Sequence, residues 1–388
     1  PRLPSAFINS ASLFAAIDLG LFTAVAAGAG TPAAFAAEAG ISELNADRLM
    51  TMCCASGLLE WDGTVYRNAA DLQRFLVEGE ARYAGAWLQF MRPGWGKWGD
   101  LTELLKTDEP AQVTPRSVID MTVESARDYH KATASVGFGD GRRFSRDVDL
   151  TGRKRMMDLG GGSGAYSIVA AQQFDGLSAV VCDLPAVVPV TREFIDEYDV
   201  ADRVSAEAVD FTRDAFPTGC DVAVMASNLP MYGHEVIAEV IERAFAALEP
   251  GGEMHLVGEM LDDDRAGPAD AAIWGLAETL ANSTGMSHTR AECVAYFERA
   301  GFTDVTVHEF IPGVLTRVTG HKPWSVDPAP GIAEDSHPRA VFAPVFRVPG
   351  ILNRAVDALG VGHHQRDPAV RAGHPGNPLR GSVGIGRV

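Results

Sequence analysis

The fold of this chain is decided by residues 156–166, which read Met156-Met157-Asp158-Leu159-Gly160-Gly161-Gly162-Ser163-Gly164-Ala165-Tyr166. A short apolar run leads into an acid, four glycines within five positions and a helix-forming sequence. This order predicts a parallel strand that turns sharply into a helix, because glycine tolerates the unusual backbone dihedrals of such a turn. A ligand can then approach the main-chain N–H groups at the helix start, so the stretch predicts a site for a nucleotide-like small molecule.

Strands and helices alternate from about residue 155 to about residue 319, which predicts a doubly wound α/β fold with a parallel sheet. The last two strands flank Ile311-Pro312-Gly313 and are predicted to form a terminal hairpin. The seven predicted strands are Met156–Leu159, Ala179–Asp183, Val204–Asp210, Val222–Ser227, Met254–Glu259, Val305–Phe310 and Val314–Thr319.

The first 85 residues predict three helices followed by a β-hairpin, which is a winged-helix pattern. Helical periodicity runs from Phe7 to Ile17, Thr31-Pro32 begins a second helix, and a third runs from about Asn45 to Gly57. Asp62-Gly63 is the predicted hairpin turn. This region holds five Arg, no Lys and nine Asp or Glu, so we interpret it as a dimerisation module and not as a DNA-binding domain.

Two further segments complete the predicted organisation, with boundaries at 1–85, 86–150, 151–320 and 321–388. Residues 86–150 read as a helical linker with a helix from Ser117 to about Val136. The aromatic residues between 83 and 98 are open to two interpretations, packing between domains or a hydrophobic wall for an organic substrate. Residues 321–388 are rich in Pro, Gly and His and predict a poorly ordered or loosely docked extension.

Composition and charge narrow the possible classes of function. The 388 residues carry a net charge of −18, which argues against a nucleic-acid partner. No apolar run of about 18 residues occurs, so neither a membrane span nor a membrane partner is expected. The five cysteines have no metal-type or redox spacing, and residues 1–4 have no signal-peptide layout, so we expect a cytoplasmic protein without a metal site.

The glycine stretch by itself is compatible with more than one nucleotide. Residues Gly160–Ala165 satisfy the dinucleotide fingerprint, and Asp183 lies about 20 residues further on, as that fingerprint requires. Asp158, directly before the glycines, suits a cationic amino group better than a pyrophosphate. Asp210-Phe211 can hold an adenine by its amino group and its face. A nicotinamide-dependent oxidoreductase stays open as an alternative at this point.

Four motifs together resemble those of the S-adenosylmethionine-dependent small-molecule O-methyltransferases, which include caffeate, hydroxyindole and anthracycline methyltransferases. They follow the order and spacing of that family and are Asp158–Gly164, Cys182–Pro185, Asp210-Phe211 and Leu248–Gly252. The resemblance covers roughly residues 7–320. It implies a winged-helix dimerisation domain, a seven-stranded Rossmann-like domain, a homodimer, S-adenosylmethionine as the cofactor and a small organic molecule as the methyl acceptor.

The resemblance also implies which residues bind the cofactor. Asp183 takes the ribose hydroxyls, Asp210 and Phe211 flank the adenine, and Ser227 lies near the sulfonium. The full predicted set is Asp158, Gly160, Gly162, Asp183, Leu184, Asp210, Phe211 and Ser227.

The general base is the open question of the sequence. Plant-type members of the family place a histidine after the fourth strand, where this chain has Pro230, which has no proton to exchange. We prefer His288, which falls in a loop that the family uses against its substrate, and Glu259 matches a carboxylate that orients the missing histidine. The predicted catalytic candidates are His288, Glu259, His234, and the neighbours Tyr129 and His130 on the substrate-facing helix.

The resemblance favours O-methylation, but Pro230 keeps other functions open. A thioether has no proton to lose, so S-methylation of a methylthio-hydroxybutyrate type of acceptor, on the way to dimethylsulfoniopropionate, would need no base. Transfer to oxygen by proximity alone is another possibility. A nicotinamide-dependent oxidoreductase and a non-catalytic binding protein on the same frame are the remaining alternatives.

Overall fold

The structure is a computed structural model that describes residues 3–80 and 82–324. Its first part contains four helices and the predicted hairpin, with the turn at Asp62-Gly63. The prediction of three helices is wrong because it missed the short helix that begins after Gly20. The bounds are α1 Ala6–Asp18, α2 Leu21–Ala26, α3 Pro32–Ala39, α4 Glu43–Ala55, β1 Leu59–Trp61 and β2 Tyr66–Asn68.

Six helices connect the hairpin to the sheet. They are α5 Gln73–Leu76, α6 Gly85–Met91, α7 Trp95–Gly99, α8 Leu101–Leu104, α9 Arg116–Ile119 and α10 Val123–Asp147. The prediction of one helix from Ser117 to about Val136 is wrong at both ends. A break separates α9 from α10, and α10 continues through three glycines to Asp147 because tertiary packing outweighs their low helix propensity. No helix in residues 3–80 and 82–324 is long and apolar enough to span a membrane.

The seven predicted strands are present in one sheet, and the largest difference in their bounds is that the fifth of them begins at Leu248 and not at Met254. The strands of the large sheet are β3 Arg155–Leu159, β4 Ser178–Asp183, β5 Val204–Ala208, β6 Cys220–Ala226, β7 Leu248–Gly258, β10 Thr303–Ile311 and β11 Leu315–His321. The remaining two strands, β8 Met260–Leu261 and β9 His288–Thr289, pair with each other outside this sheet. The order in the large sheet is β10-β11-β7-β6-β3-β4-β5. Strands β3 to β7 pair in parallel, and β11 is antiparallel to both of its neighbours, which confirms the terminal hairpin.

Helices cover both faces of the sheet, so its strands are buried on both sides. These helices are α11 Ala165–Gln173, α12 Val188–Glu197, α13 His234–Ala247, α14 Ala269–Ala281 and α15 Arg290–Ala300. Helices α10, α11 and α12 contribute to one apolar cluster, and α13 and α15 to the other. Because the carboxyl ends of parallel strands meet at one edge, the loops after β3, β4, β5 and β6 converge there.

Helix α10 crosses the start of α11 at a point where only glycine fits. A Cβ atom at Gly141 would lie 2.8 Å from the carbonyl oxygen of Ala165. At Gly137 the nearest atom would be the Cβ of Ala165 at 3.4 Å, which is an ordinary contact. At Gly139 no atom lies within 4 Å of the added Cβ. The position of α10 against the glycine loop therefore depends on Gly141.

Alanine substitutions at these glycines are expected to change stability in opposite directions. Gly139→Ala should raise the free energy of unfolding by about 0.5–1 kcal/mol, because alanine has the higher helix propensity and meets no neighbour. Gly141→Ala should lower it by about 1–3 kcal/mol, because the backbone of α11 cannot yield easily. Urea unfolding measures both values, and an equal gain in the two variants would contradict the close crossing.

Candidate active site

The glycine loop after β3 is bonded to two neighbouring elements. Gly160 and Gly162 have φ values of +67° and +57°, a region that favours glycine. The carboxylate of Asp183, at the end of β4, accepts the N–H of Gly162 at 2.8 Å and that of Leu184 at 2.7 Å. The Thr191 hydroxyl on α12 donates to the Gly162 carbonyl at 2.6 Å. The predicted residues Gly160, Gly162, Asp183 and Leu184 therefore lie together.

Asp158 lies beneath this loop and is 1% exposed. The Ser167 hydroxyl donates to its Oδ2 at 2.8 Å, and a Cβ atom at Gly161 would lie 2.6 Å from its carboxyl carbon. Burial raises the pKa of Asp158 to about 6, and burial likewise raises the pKa of Asp183 to about 6. Both raised values reflect the cost of holding a carboxylate away from water, which a cationic ligand would offset. The loop therefore suits a positively charged ligand and disfavours a pyrophosphate.

The turn after β5 brings an aromatic ring to the other end of the loop. A Cβ atom at Gly160 would lie 2.8 Å from Cε1 of Phe211. The Oδ1 atom of Asp210 accepts the backbone N–H of Thr212 at 3.0 Å and its hydroxyl at 2.6 Å, and Oδ2 pairs with Arg213 at 2.6 Å. Phe211 therefore faces the loop, whereas the carboxylate of Asp210 is bonded within its own turn.

The end of β6 is strained and is tied to the glycine loop. Ser227 has a φ of +60°, which costs a non-glycine residue free energy and is typical of functional sites. Its N–H donates to the Val257 carbonyl at 2.9 Å. The Asn228 side-chain amide donates to the carbonyls of Ala226 at 2.9 Å and Gly160 at 3.2 Å. Asn228 was not predicted, although its place directly after Ser227 at a strand end was a usable signal.

Aromatic contacts run from α6 to the loop. Trp87 stacks on Phe90 with ring centres 5.7 Å apart, and the rings of Phe90 and Tyr129 form a T-shaped pair with centres 5.0 Å apart. Tyr129 contacts His130 at 4.9 Å, and a Cβ atom at Gly162 would lie 2.5 Å from Cε1 of His130. The ring contacts show that this run packs α6 against α10, and the interpretation as a wall for an organic substrate stays a prediction.

Glu259 directly follows β7 at the same edge of the sheet. Burial raises its pKa, and the charge of Asp270 adds to this effect. Burial and the charge of Glu259 together raise the pKa of Asp140 to about 7, although Arg143 opposes them. Partial burial raises the pKa of Tyr129 too, with contributions from the charges of Asp183 and Glu259. The Tyr129 phenol therefore lies within electrostatic range of both the cofactor acid and a candidate base.

His288 is fully buried and has no free ring nitrogen. Its Nε2 lies 2.9 Å from the Tyr232 carbonyl, which can only accept, so Nδ1 must accept the Tyr296 hydroxyl at 3.0 Å. His234 stacks on the His288 ring at 4.7 Å. Burial lowers the pKa of His288 to about 4. Because a proton acceptor needs an open lone pair, the geometry does not support our preference for His288, and we place Glu259 ahead of it.

The sheet order and the loop together define the class of protein. A parallel sheet closed by the antiparallel β11, with acids at the ends of β3 and β4 and an aromatic ring after β5, matches an adenosine ligand that carries positive charge. A Cβ atom at Gly160, Gly161 or Gly162 would lie within 3 Å of a side chain of the protein, so these three positions of the loop require glycine. These features fit the class of S-adenosylmethionine-dependent methyltransferases.

Comparisons with known proteins narrow this class to one family. Residues 2–78 match the model of an O-methyltransferase dimerisation domain, and residues 119–303 match that of an O-methyltransferase domain. The chain is 33% identical to the 3-hydroxy-5-methyl-1-naphthoate 3-O-methyltransferase of Streptomyces sahachiroi, over 80% of this chain and 91% of that protein. It is 30% identical to the tetracenomycin polyketide synthesis 8-O-methyl transferase of Streptomyces glaucescens, over 83% and 96%.

A solved structure agrees with these matches in its fold. The structure of human N-acetylserotonin methyltransferase in complex with S-adenosylmethionine superposes on this chain with a TM-score of 0.71. The two chains are 24% identical, and the superposition covers 83% of this chain and 96% of the human chain. The chain belongs to the family of S-adenosylmethionine-dependent small-molecule O-methyltransferases, as its motifs predicted. The comparisons do not support the alternatives of a nicotinamide oxidoreductase, a thioether methyltransferase or a non-catalytic protein.

Proposed function

We propose that this protein methylates a hydroxyl group of a small aromatic acceptor and that Glu259 is its general base. The observation that carries the proposal is a row of aromatic rings, formed by Trp87, Phe90 and Tyr129, whose Tyr129 phenol feels the charge of the Glu259 carboxyl group. The names of the two Streptomyces relatives support it, since both are O-methyltransferases and one acts on a hydroxynaphthoate.

The proposed mechanism divides the work between positioning and proton removal. When bound, S-adenosylmethionine supplies a methyl group on a cationic sulfur, open to in-line attack. The glycine loop and Asp183 orient the cofactor, and the ring edges of Phe90 and Tyr129 orient the acceptor. Glu259 removes the hydroxyl proton. Because the pKa of Glu259 is raised, it differs less from the pKa of a phenol than the pKa of an ordinary carboxylate does.

A methyl-transfer assay with matched acceptors tests this function. A naphthol and the corresponding methylthionaphthalene share one aromatic frame and differ in the accepting atom. With labelled S-adenosylmethionine, we expect label in the naphthol product and none in the sulfur compound. Transfer to sulfur alone, or transfer to no hydroxyl acceptor in a broad set while S-adenosylhomocysteine binds, would contradict the proposal.

We also propose that the protein works as a homodimer in the cytoplasm. The match to a dimerisation domain supports this, and so does the exposure of large apolar side chains, which marks interaction surfaces. On α1, α6 and α7 these are Phe7, Ile8, Met91, Trp95 and Trp98. The five unpaired cysteines suit a reducing compartment. Light scattering should give twice the 41.3 kDa of one chain.

A further inference from the structure

The ring of His130 rests directly on the glycine loop. A Cβ atom at Gly162 would lie 2.5 Å from Cε1 and 2.8 Å from Nδ1 of this ring. His130 is 8% exposed and lies on α10, whose close crossing with α11 at Gly141 sets its distance from the loop. The rings of Tyr129 and His130 pack in a T-shaped pair with centres 4.9 Å apart. Packing on several sides therefore holds the imidazole where the loop receives its ligand.

His130 differs in charge from the other side chains at the loop. Asp158 lies beneath the loop, and Asp183 accepts a hydrogen bond from Gly162, so both contribute negative charge. The side chains nearest to Gly160 are an aromatic ring and a neutral amide. Among the side chains that meet Gly160, Gly161 and Gly162, that of His130 is the one that can become a cation. A ligand carboxylate would be repelled by the acids and attracted by this imidazole.

The strand order indicates which part of the cofactor reaches His130. Phe211, the proposed adenine contact, follows β5 at one edge of the sheet, and Ser227, the proposed neighbour of the sulfonium, follows β6. A ligand that spans these two points crosses the loop after β3, which lies between them. The ribose joins the adenine to the sulfonium and belongs at β4, where Asp183 is its proposed partner. The amino-acid part extends from the sulfonium, so we assign it to the loop after β3, between β6 and β4, on which His130 rests. Its ammonium suits the acids, and its carboxylate requires a donor.

We propose that His130 is a positioning residue that binds the methionyl carboxylate of S-adenosylmethionine. This rests on the cofactor that the family and the loop define. An imidazole N–H donates to the carboxylate, and a protonated ring adds charge to that bond. Burial lowers the pKa of His130 to about 4 without a ligand, and a bound anion raises the pKa of an imidazole. His130 would thereby select the orientation of the amino-acid part.

The test compares two ligands that differ by the carboxylate alone. S-Adenosylhomocysteine and its decarboxylated analogue are titrated calorimetrically into the wild type and into His130→Ala and His130→Gln. We expect His130→Ala to bind S-adenosylhomocysteine roughly 10- to 100-fold more weakly, as for the loss of one charge-assisted hydrogen bond. Its affinity for the analogue should stay within about threefold of wild type, and His130→Gln, which keeps an N–H donor, should recover part of the loss.

Matched controls distinguish binding of the carboxylate by His130 from a purely structural or catalytic role of this residue. His308→Ala removes a histidine on β10 that bonds to Thr306, and it should bind both ligands as the wild type does. If the folded His130→Gln variant lost affinity equally for both ligands, the ring would only shape the loop, and the proposal would be refuted. It would also fall if kcat dropped while the affinity for S-adenosylhomocysteine was unchanged. A wild type that binds neither ligand would instead refute the assigned cofactor.

Discussion

Asp183→Asn is expected to lower the affinity for S-adenosylhomocysteine about 100-fold, measured by calorimetry. The carboxylate holds the N–H groups of Gly162 and Leu184, and its remaining lone pairs are the proposed acceptors of the ribose hydroxyls. An amide has one acceptor oxygen instead of two, so at least one of these hydrogen bonds is lost, and each bond to a charged group contributes about 1.5–3 kcal/mol. The change also removes the charge that favours a sulfonium.

The pH dependence of binding gives this prediction a second readout. Because burial raises the pKa of Asp183 to about 6, lowering the pH from about 7 to about 5 protonates it and should weaken the binding of S-adenosylmethionine. Asp183→Asn should show less of this loss. Asp196→Asn removes an equal charge from the exposed face of α12 and should bind as the wild type does. Wild-type affinity in Asp183→Asn would refute the ribose role.

Glu259→Gln is expected to lower kcat by roughly 10²- to 10⁴-fold, the range for loss of a general base. Steady-state kinetics with a naphthol acceptor measure this, and the KM for S-adenosylmethionine should change little. Burial raises the pKa of Glu259 and only its ionised form accepts a proton, so wild-type kcat should fall as the pH drops through that raised value. The residual rate of Glu259→Gln should be nearly independent of pH.

A variant on the surface controls for the loss of a carboxylate. Glu298→Gln lies on the exposed face of α15 and should keep the wild-type rate and pH profile. An unchanged kcat in Glu259→Gln would favour transfer by proximity alone, the possibility that Pro230 left open. A decrease in kcat with an unaltered pH profile would assign Glu259 to orienting the acceptor, not to proton removal.

That the proposed cofactor residues lie together was predictable, because the signals that place each of them are local. Each predicted residue stands at a strand end or in the turn after it, and parallel strands bring such positions to one edge. The supports of the loop were not predictable in the same way. Thr191, Ser167 and Asn228 are short polar residues with no distinctive pattern, and their hydrogen-bond partners lie elsewhere in the chain.

The catalytic residues could not be predicted as well, because the role of a side chain depends on the residues around it. His288 was preferred for its place in a loop, but both of its nitrogens bond to Tyr232 and Tyr296, which lie on other elements. Helix α10 was predicted to end near Val136. Instead Gly141 lets the helix continue across α11, which brings His130 to the loop. Neither outcome follows from residue type and spacing, because both depend on long-range packing.

The sequence by itself determined the order of the strands and helices, the terminal hairpin, the methyltransferase family and the cofactor. Hydrophobic periodicity and turn residues act within a few residues of one another, so they predict the elements, whereas the family and its cofactor follow from the resemblance of the four motifs. Only the tertiary structure decided which titratable groups are free to act. Burial set the pKa values of Asp158, Asp183 and His130, and hydrogen bonds from distant elements occupied His288. Burial and partner choice belong to the folded chain, because they arise from contacts between residues far apart in sequence.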